Sequence, residues 1–130
     1  LLRKAREKEG FDARDAAYFD GVETGGAPEH PHRAGHIAGA RSVPFASTST
    51  DDLHLRSEKE LRELLGAAGV APGDVIITYC HIGQQATAVL LAARTLGHET
   101  RLYDGSFEEW SRLPEHPVEK PPAAAVKTAP

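Results

Sequence analysis

The sequence predicts an α/β fold, a parallel β-sheet with helices packed on both of its faces. Three observations carry that expectation. Helical and extended patterns alternate between residues 57 and 113, "VIITYC" (75–80) is a β-branched and apolar run bounded by turns, and "ATAVLLAARTLG" (86–97) is apolar nearly all round. A short run of the first kind reads as a strand buried on both faces of a parallel sheet. A helix of the second kind reads as one packed on that sheet.

The elements follow in order. "LLRKAREKEG" (1–10) places leucines and alanine before mixed charges and is expected to form a helical extension with a polar outer face. Residues 12–19 read as a strand end entering one helical turn, closed by Gly21. Residues 22–36, "VETGGAPEHPHRAGH", hold three glycines, two prolines and three histidines, a composition that predicts an irregular surface loop. "ARSVPF" (40–45) reads as a short strand whose Pro44 argues for an edge or a terminus, and "STSTDD" (47–52) as a second loop. In "SEKELRELLGAAG" (57–69), Ser57 and Glu60 have capping-box spacing while Leu61, Leu64 and Leu65 mark one helical face.

"VAPGD" (70–74) is a turn into the 75–80 strand, and Gly97 stops the 86–97 helix. "TRLYD" (100–104) reads as a further strand. "SFEEWSRL" (106–113) reads as a helix with Ser106 as N-cap and acids in its first turn, anchored to the core by Phe107 and Trp110. From Val118 the Pro/Ala/Lys-rich end has little to bury. The expected organisation is therefore an extension over 1–10, a domain over 11–117 and a disordered tail over 118–130.

The totals narrow the function. The chain has 130 residues, about one domain, and 15 Lys+Arg against 19 Asp+Glu give a formal charge of −4. The basic residues are scattered, so no nucleic-acid partner is expected. No stretch approaches the roughly 18 apolar residues of a membrane span, and residues 1–10 lack the apolar core of a signal peptide. The expectation is a soluble domain without a membrane partner, with the cytoplasm as default compartment and the periplasm left open. One cysteine cannot form an internal disulfide, and the absence of methionine suggests a trimmed chain or a piece of a longer one.

That one cysteine, Cys80, falls where the apolar run breaks into "HIGQQ". On a central parallel strand this is the carboxyl end, where open α/β sheets place their active sites. The short connection centred on Gly83 lets backbone N–H groups curl inward, and the next helix directs its N-terminus to the same point. Such a nest stabilises an anion: a thiolate, a persulfide or a bound oxyanion.

Here the residues meet a family. "CHIGQQA" (80–86), set between "VIITY" and an apolar helix, resembles the active-site loop of rhodanese-type sulfurtransferases. "GHIAGARSVPF" (35–45) is similar to the family's GHIxGAxNxPF segment, "YDGSFEEW" (103–110) to its YDGSxxEW segment, and "DAR" (12–14) to the DxR that opens these domains. The matches run in order from residue 12 to residue 113 and resemble the catalytic, C-terminal-type domain of thiosulfate and mercaptopyruvate sulfurtransferases.

The resemblance implies a rhodanese-like sheet of about five strands. It implies that Cys80 attacks the outer sulfur of thiosulfate, releases sulfite and passes the sulfur from its persulfide to cyanide or another thiophile. It casts the backbone of His81, Ile82, Gly83, Gln84, Gln85 and Ala86 as the cradle and sets Arg14 beside it, with Asp12, Asp104 and Ser106 as supports. Neither a metal nor an organic cofactor is implied. The partners implied are a small-molecule sulfur donor and a thiophilic acceptor, with a second rhodanese domain or a thiol-protein acceptor left open as a further partner. Two departures bear on the donor. The loop offers only His81 as an ionisable side chain, and the position four after Arg14 is Tyr18. Both remove positive charge where a dianion would bind, and they leave the donor's identity open.

Rival readings weigh less. A Cys-dependent phosphatase needs an arginine six residues after its cysteine, and that position is Ala86. A rhodanese-like carrier, redox sensor or docking module would keep Cys80 and tolerate a weakened donor pocket. His30, His32 and His36 fit no strong metal-ligand spacing and are expected to be loop-surface or structural histidines.

Overall fold

The computed structural model describes residues 10–121, so all but Gly10 of the expected 1–10 helix lies outside the described residues. In chain order the first elements are β1 (Phe11–Asp12), α1 (Ala16–Phe19), β2 (Gly26–Ala27), β3 (His30–Pro31), β4 (His36–Ile37), β5 (Arg41–Ser42) and a 3₁₀ turn (Phe45–Thr48). Then come α2 (Glu58–Ala67), β6 (Ile76–Tyr79), α3 (Ala86–Thr95), β7 (Thr100–Leu102), α4 (Ser106–Trp110) and β8 (Val118–Glu119).

The central sheet runs β5-β1-β6-β7 with every pairing parallel. It has four strands among the described residues, not about five. The remaining strands form two separate antiparallel pairs, β2 with β3 and β4 with β8. The apolar run 75–80 supplies β6, buried at every position and paired on both sides, as the sequence predicts. β5 lies at the sheet edge and Pro44 follows it, where a missing N–H costs no ladder bond.

Side chains alternate across β6, and two cores result. Ile76 and Cys80 face Phe11, Ala13, Val43, Leu65, Val89 and Ala93, a cluster contributed largely by α2 and α3. Tyr79 faces Ile37, Ala40 and Phe107 on the opposite side, under α4 and β4. Helices therefore cover both faces. α2 begins in the expected capping box: the Ser57 side chain accepts from Glu60 N–H at 3.2 Å while Glu60 Oε1 accepts from Ser57 N–H at 3.1 Å. Leu61 and Leu65 are its buried stripe. In α3, Val89, Ala92 and Ala93 face inward and Leu91 is exposed.

Three local expectations change. The stretch 22–36 contains the β2–β3 hairpin, and two of its histidines are interior, His32 at 6% and His36 at 4% exposure. His36 stacks on Phe19 with ring centroids 3.7 Å apart, and its Nδ1 lies 2.8 Å from the Phe19 carbonyl oxygen. Val118 and Glu119, expected in a disordered tail, pair with Ile37 and His36, because the extended β4 backbone needs a partner that the central sheet does not supply. Residues 47–52 open within a 3₁₀ turn, with Ser47 and Thr48 hydroxyls donating to the Pro44 and Phe45 carbonyls.

Candidate active site

The strand order places the end of β6 between β1 and β7, and Cys80 is the first residue beyond it. Its side chain is 1% exposed and joins the α2/α3 core. The Gly83 N–H points at the sulfur, with N to Sγ at 3.1 Å. Gly83 has φ of +103°, and a Cβ there would come within 3.3 Å of the Asp104 backbone oxygen and Oδ1. A glycine is needed both for that conformation and for that approach. Among the described residues the amides of Ile82, Gln84, Gln85 and Ala86 have no acceptor. The loop thus holds one amide on the sulfur and several uncommitted ones beside it, with α3 starting at Ala86. Thr78 Oγ1 donates to the Ala86 carbonyl at 3.2 Å and ties the start of α3 to β6.

The other wall of the loop is α4. Phe107 N–H donates to the Cys80 carbonyl at 2.9 Å and Glu108 N–H to the His81 carbonyl at 3.0 Å. Ser106, expected as an N-cap, does not cap the helix. Gly105 takes that position, and the Ser106 hydroxyl accepts Cys80 N–H at 3.1 Å while donating to the Tyr103 carbonyl at 2.9 Å. Its φ of +54° is unusual for a residue other than glycine, and these bonds hold it there. Both polar groups of the Cys80 peptide unit are therefore fixed by α4, which positions the residue without touching its sulfur.

Arg14 is 1% exposed and engaged through Nε and Nη2. Nε lies 3.0 Å from each Asp12 carboxylate oxygen, Nη2 lies 2.7 Å from Asp12 Oδ2, and Nη2 also donates to the Gly35 carbonyl at 2.6 Å. The guanidinium sits 4.2 Å from the Phe107 ring centroid. Arg14 is thus a buried clamp joining β1, the β4 approach and α4. The same environment, by burial and then the Asp12 charge, pushes the Tyr79 hydroxyl well above its ordinary titration range.

His81 packs with Tyr18 edge-on at 4.6 Å between centroids and lies 5.9 Å from the His32 ring. Its basicity is lowered first by burial, then by the charge of Arg14, which favours the neutral ring. Ile82 and Gln84 are exposed on the loop's outer surface. Gln85 is partly buried, with its Oε1 unpartnered among the described residues. Residues 80–86 form one loop, whereas Arg14 touches Asp12, Gly35 and Phe107 in place of the sulfur.

Sequence reasoning misses two side chains of this neighbourhood, His32 and Glu108. His32 Nε2 lies 2.8 Å from Glu108 Oε1 across 76 residues of sequence. No local pattern signals such a pair, and only the fold brings the two together.

Comparison with known proteins agrees with this geometry. The family model described as a rhodanese-like domain matches residues 1–113. A Haloferax volcanii protein named "Putative thiosulfate sulfurtransferase" is 37% identical over 113 residues, which cover 84% of this chain and 40% of that protein. The Thermus thermophilus "Sulfur carrier protein TtuD" is 32% identical over 125 residues, 90% of this chain and 44% of that protein. The chain therefore spans less than half the length of either relative. Among solved structures, Tum1 from Saccharomyces cerevisiae superimposes with a TM-score of 0.73 at 24% identity, covering 85% of this chain and 39% of that one, a likeness of fold. The cysteine loop beyond the central parallel strand, the family match along the chain and the identity to these relatives together make this chain a member of the rhodanese-like domain family.

Proposed function

We propose that this domain is a sulfurtransferase that moves sulfane sulfur from thiosulfate, or a related donor, to a thiophilic acceptor through a persulfide on Cys80. The proposal rests on the Gly83 N–H directed at Cys80 Sγ from a loop whose neighbouring amides are uncommitted. The Cys80 thiolate attacks the outer sulfur of thiosulfate; the S–S bond of the donor breaks, and its electron pair leaves with sulfite. The new terminal sulfur, about 2.05 Å beyond Sγ, carries the negative charge into the amide nest. Cyanide then attacks that sulfur, thiocyanate departs and the thiolate is restored, so charge and oxidation state balance within the cycle. The amides are preorganised by the fold, which is the form of electrostatic stabilisation that costs no rearrangement during reaction.

A second reading, a persulfide carrier that exchanges sulfur with protein thiols, draws on the near-complete burial of Cys80 and on the ion pair of Arg14 with Asp12, which offsets that cation's charge. Steady-state thiocyanate production from thiosulfate and cyanide separates the two. The proposal expects multiple turnovers that vanish in Cys80→Ser. A single sulfur loaded per chain and released only to a thiol acceptor supports the carrier.

A further inference from the structure

Behind the loop lies a group that the reaction above does not use. His32 is buried, and its Nε2 faces a Glu108 carboxylate oxygen at 2.8 Å. A carboxylate only accepts, so the neutral His32 ring carries its proton on Nε2 and Nδ1 presents a lone pair. That Nδ1 is buried with no partner among the described residues. A buried acceptor left unmatched in a native site needs an explanation.

His81 brings a second imidazole to the same place. A Cβ added at Gly25 would lie 2.9 Å from His81 Nδ1 and 2.9 Å from its Cε1, and 3.3 Å from His32 Nδ1. Both rings therefore converge on one bare glycine, their planes only 24° apart. The groups that act on His81 from the surrounding elements are Asp12 and Arg14 at β1, Asp15 and Tyr18 at α1, and His32 itself, with Glu108 behind it. Arg14 is ion-paired with Asp12 and bonded to Gly35, and Arg112 is paired with Glu108.

We propose that His32 and His81, backed by Glu108, act as an imidazole pair that takes up one proton and so determines whether the Cys80 loop accepts a dianionic sulfur donor. This inference rests on the sulfur-transfer reading. With the pair neutral, thiosulfate brings two negative charges towards a thiolate whose neighbouring cation, Arg14, is already ion-paired with Asp12. One added proton is held between the two rings through a bridging water, which spans the gap and satisfies His32 Nδ1. It also sets a positive charge at the loop's first residue. A donor with a single negative charge gains less from that proton.

The test compares thiosulfate with an aryl thiosulfonate, which also delivers a sulfane sulfur but carries one charge less and releases a sulfinate. Single-turnover loading of Cys80 by each donor is followed from pH 8 to pH 5. Both donors keep their charge over this range, and titration of Cys80 itself cancels in the ratio of the two rates. The proposal expects the thiosulfate-to-thiosulfonate ratio to rise about fivefold as pH falls, the scale of one charge pair about 4 Å apart in water, and to stay flat in His81→Asn. A flat ratio in the unaltered protein, or an equal rise in His81→Asn, overturns it. Because His81→Asn could misfold, ring-nitrogen NMR of the unaltered protein supplies a second readout. One titration event shared by both rings supports the pair, and two independent events overturn it. Failure of both donors to load Cys80 would instead remove the sulfur-transfer reading, and this inference with it.

Discussion

Ser106→Ala isolates the contribution of α4 to the site. The Ser106 hydroxyl accepts Cys80 N–H at 3.1 Å and donates to the Tyr103 carbonyl at 2.9 Å, and the residue is fully buried. Alanine leaves the Cys80 N–H buried without a partner, which costs about 1–3 kcal/mol. The φ of +54° is disfavoured for serine and alanine alike, so strain does not change in this substitution. Glycine adopts that φ freely, and Ser106→Gly should recover about 1 kcal/mol of the loss. Urea unfolding followed by tryptophan fluorescence at Trp110 measures both. With a slope of about 1–3 kcal/mol per molar, Ser106→Ala should lower the midpoint by about 1 M, and Ser106→Gly by less. The rate of Cys80 loading should fall in both variants, since the Cys80 peptide is no longer held from the α4 side. A Ser106→Ala midpoint within experimental error of the unaltered protein, or a glycine variant less stable than the alanine one, would mean that Ser106 does not hold Cys80 in this way.

Arg14→Ala strands the Asp12 carboxylate in the core and should cost about 3–5 kcal/mol in urea unfolding, far more than loss of an exposed ion pair. Gly83→Ala forces a β-carbon against Asp104 at a φ of +103°; it should both destabilise by about 1–3 kcal/mol and slow persulfide formation, measured by unfolding and by loading rate. Leu65→Ala opens a cavity in the α2/α3 core and should cost about 2–5 kcal/mol in urea unfolding. The pH dependence of stability should carry a His81 signature. Its affinity for a proton is lower in the folded state than the ordinary value of 6.5, so the unfolded chain binds more protons below that pH. Stability is then lost as pH falls from 6.5 towards the lower folded value, and His81→Asn should flatten that part of the profile.

What could be read from the sequence was local. The capping box at Ser57, the doubly buried strand at 76–79 and the edge strand before Pro44 each follow from residues within a few positions of one another, and the structure reproduces them. The placement of Cys80 followed from one more step, the rule that active sites lie at the carboxyl end of parallel strands. Interactions across the fold were invisible. His32 reads as a surface histidine in a Gly/Pro-rich loop, and only the docking of α4 buries it against Glu108. Val118–Glu119 is too short and polar to declare itself a strand, and β4 gives it a ladder to join. Ser106 has the residue type of an N-cap, yet its hydroxyl serves Cys80 because the positive φ turns it back towards β6. Arg14 illustrates the same limit: its neighbour in sequence, Asp12, is legible as a partner, but its burial under Phe107 is not.

The central claim is that Cys80 carries sulfur covalently, and it can be checked by intact mass spectrometry of the reduced protein after exposure to thiosulfate. The mass should rise by one sulfur atom located at Cys80, fall again on adding cyanide with thiocyanate formed in equal amount, and stay constant in Cys80→Ser. An unchanged mass with every sulfane donor tried, while Cys80 remains open to alkylation, would contradict it.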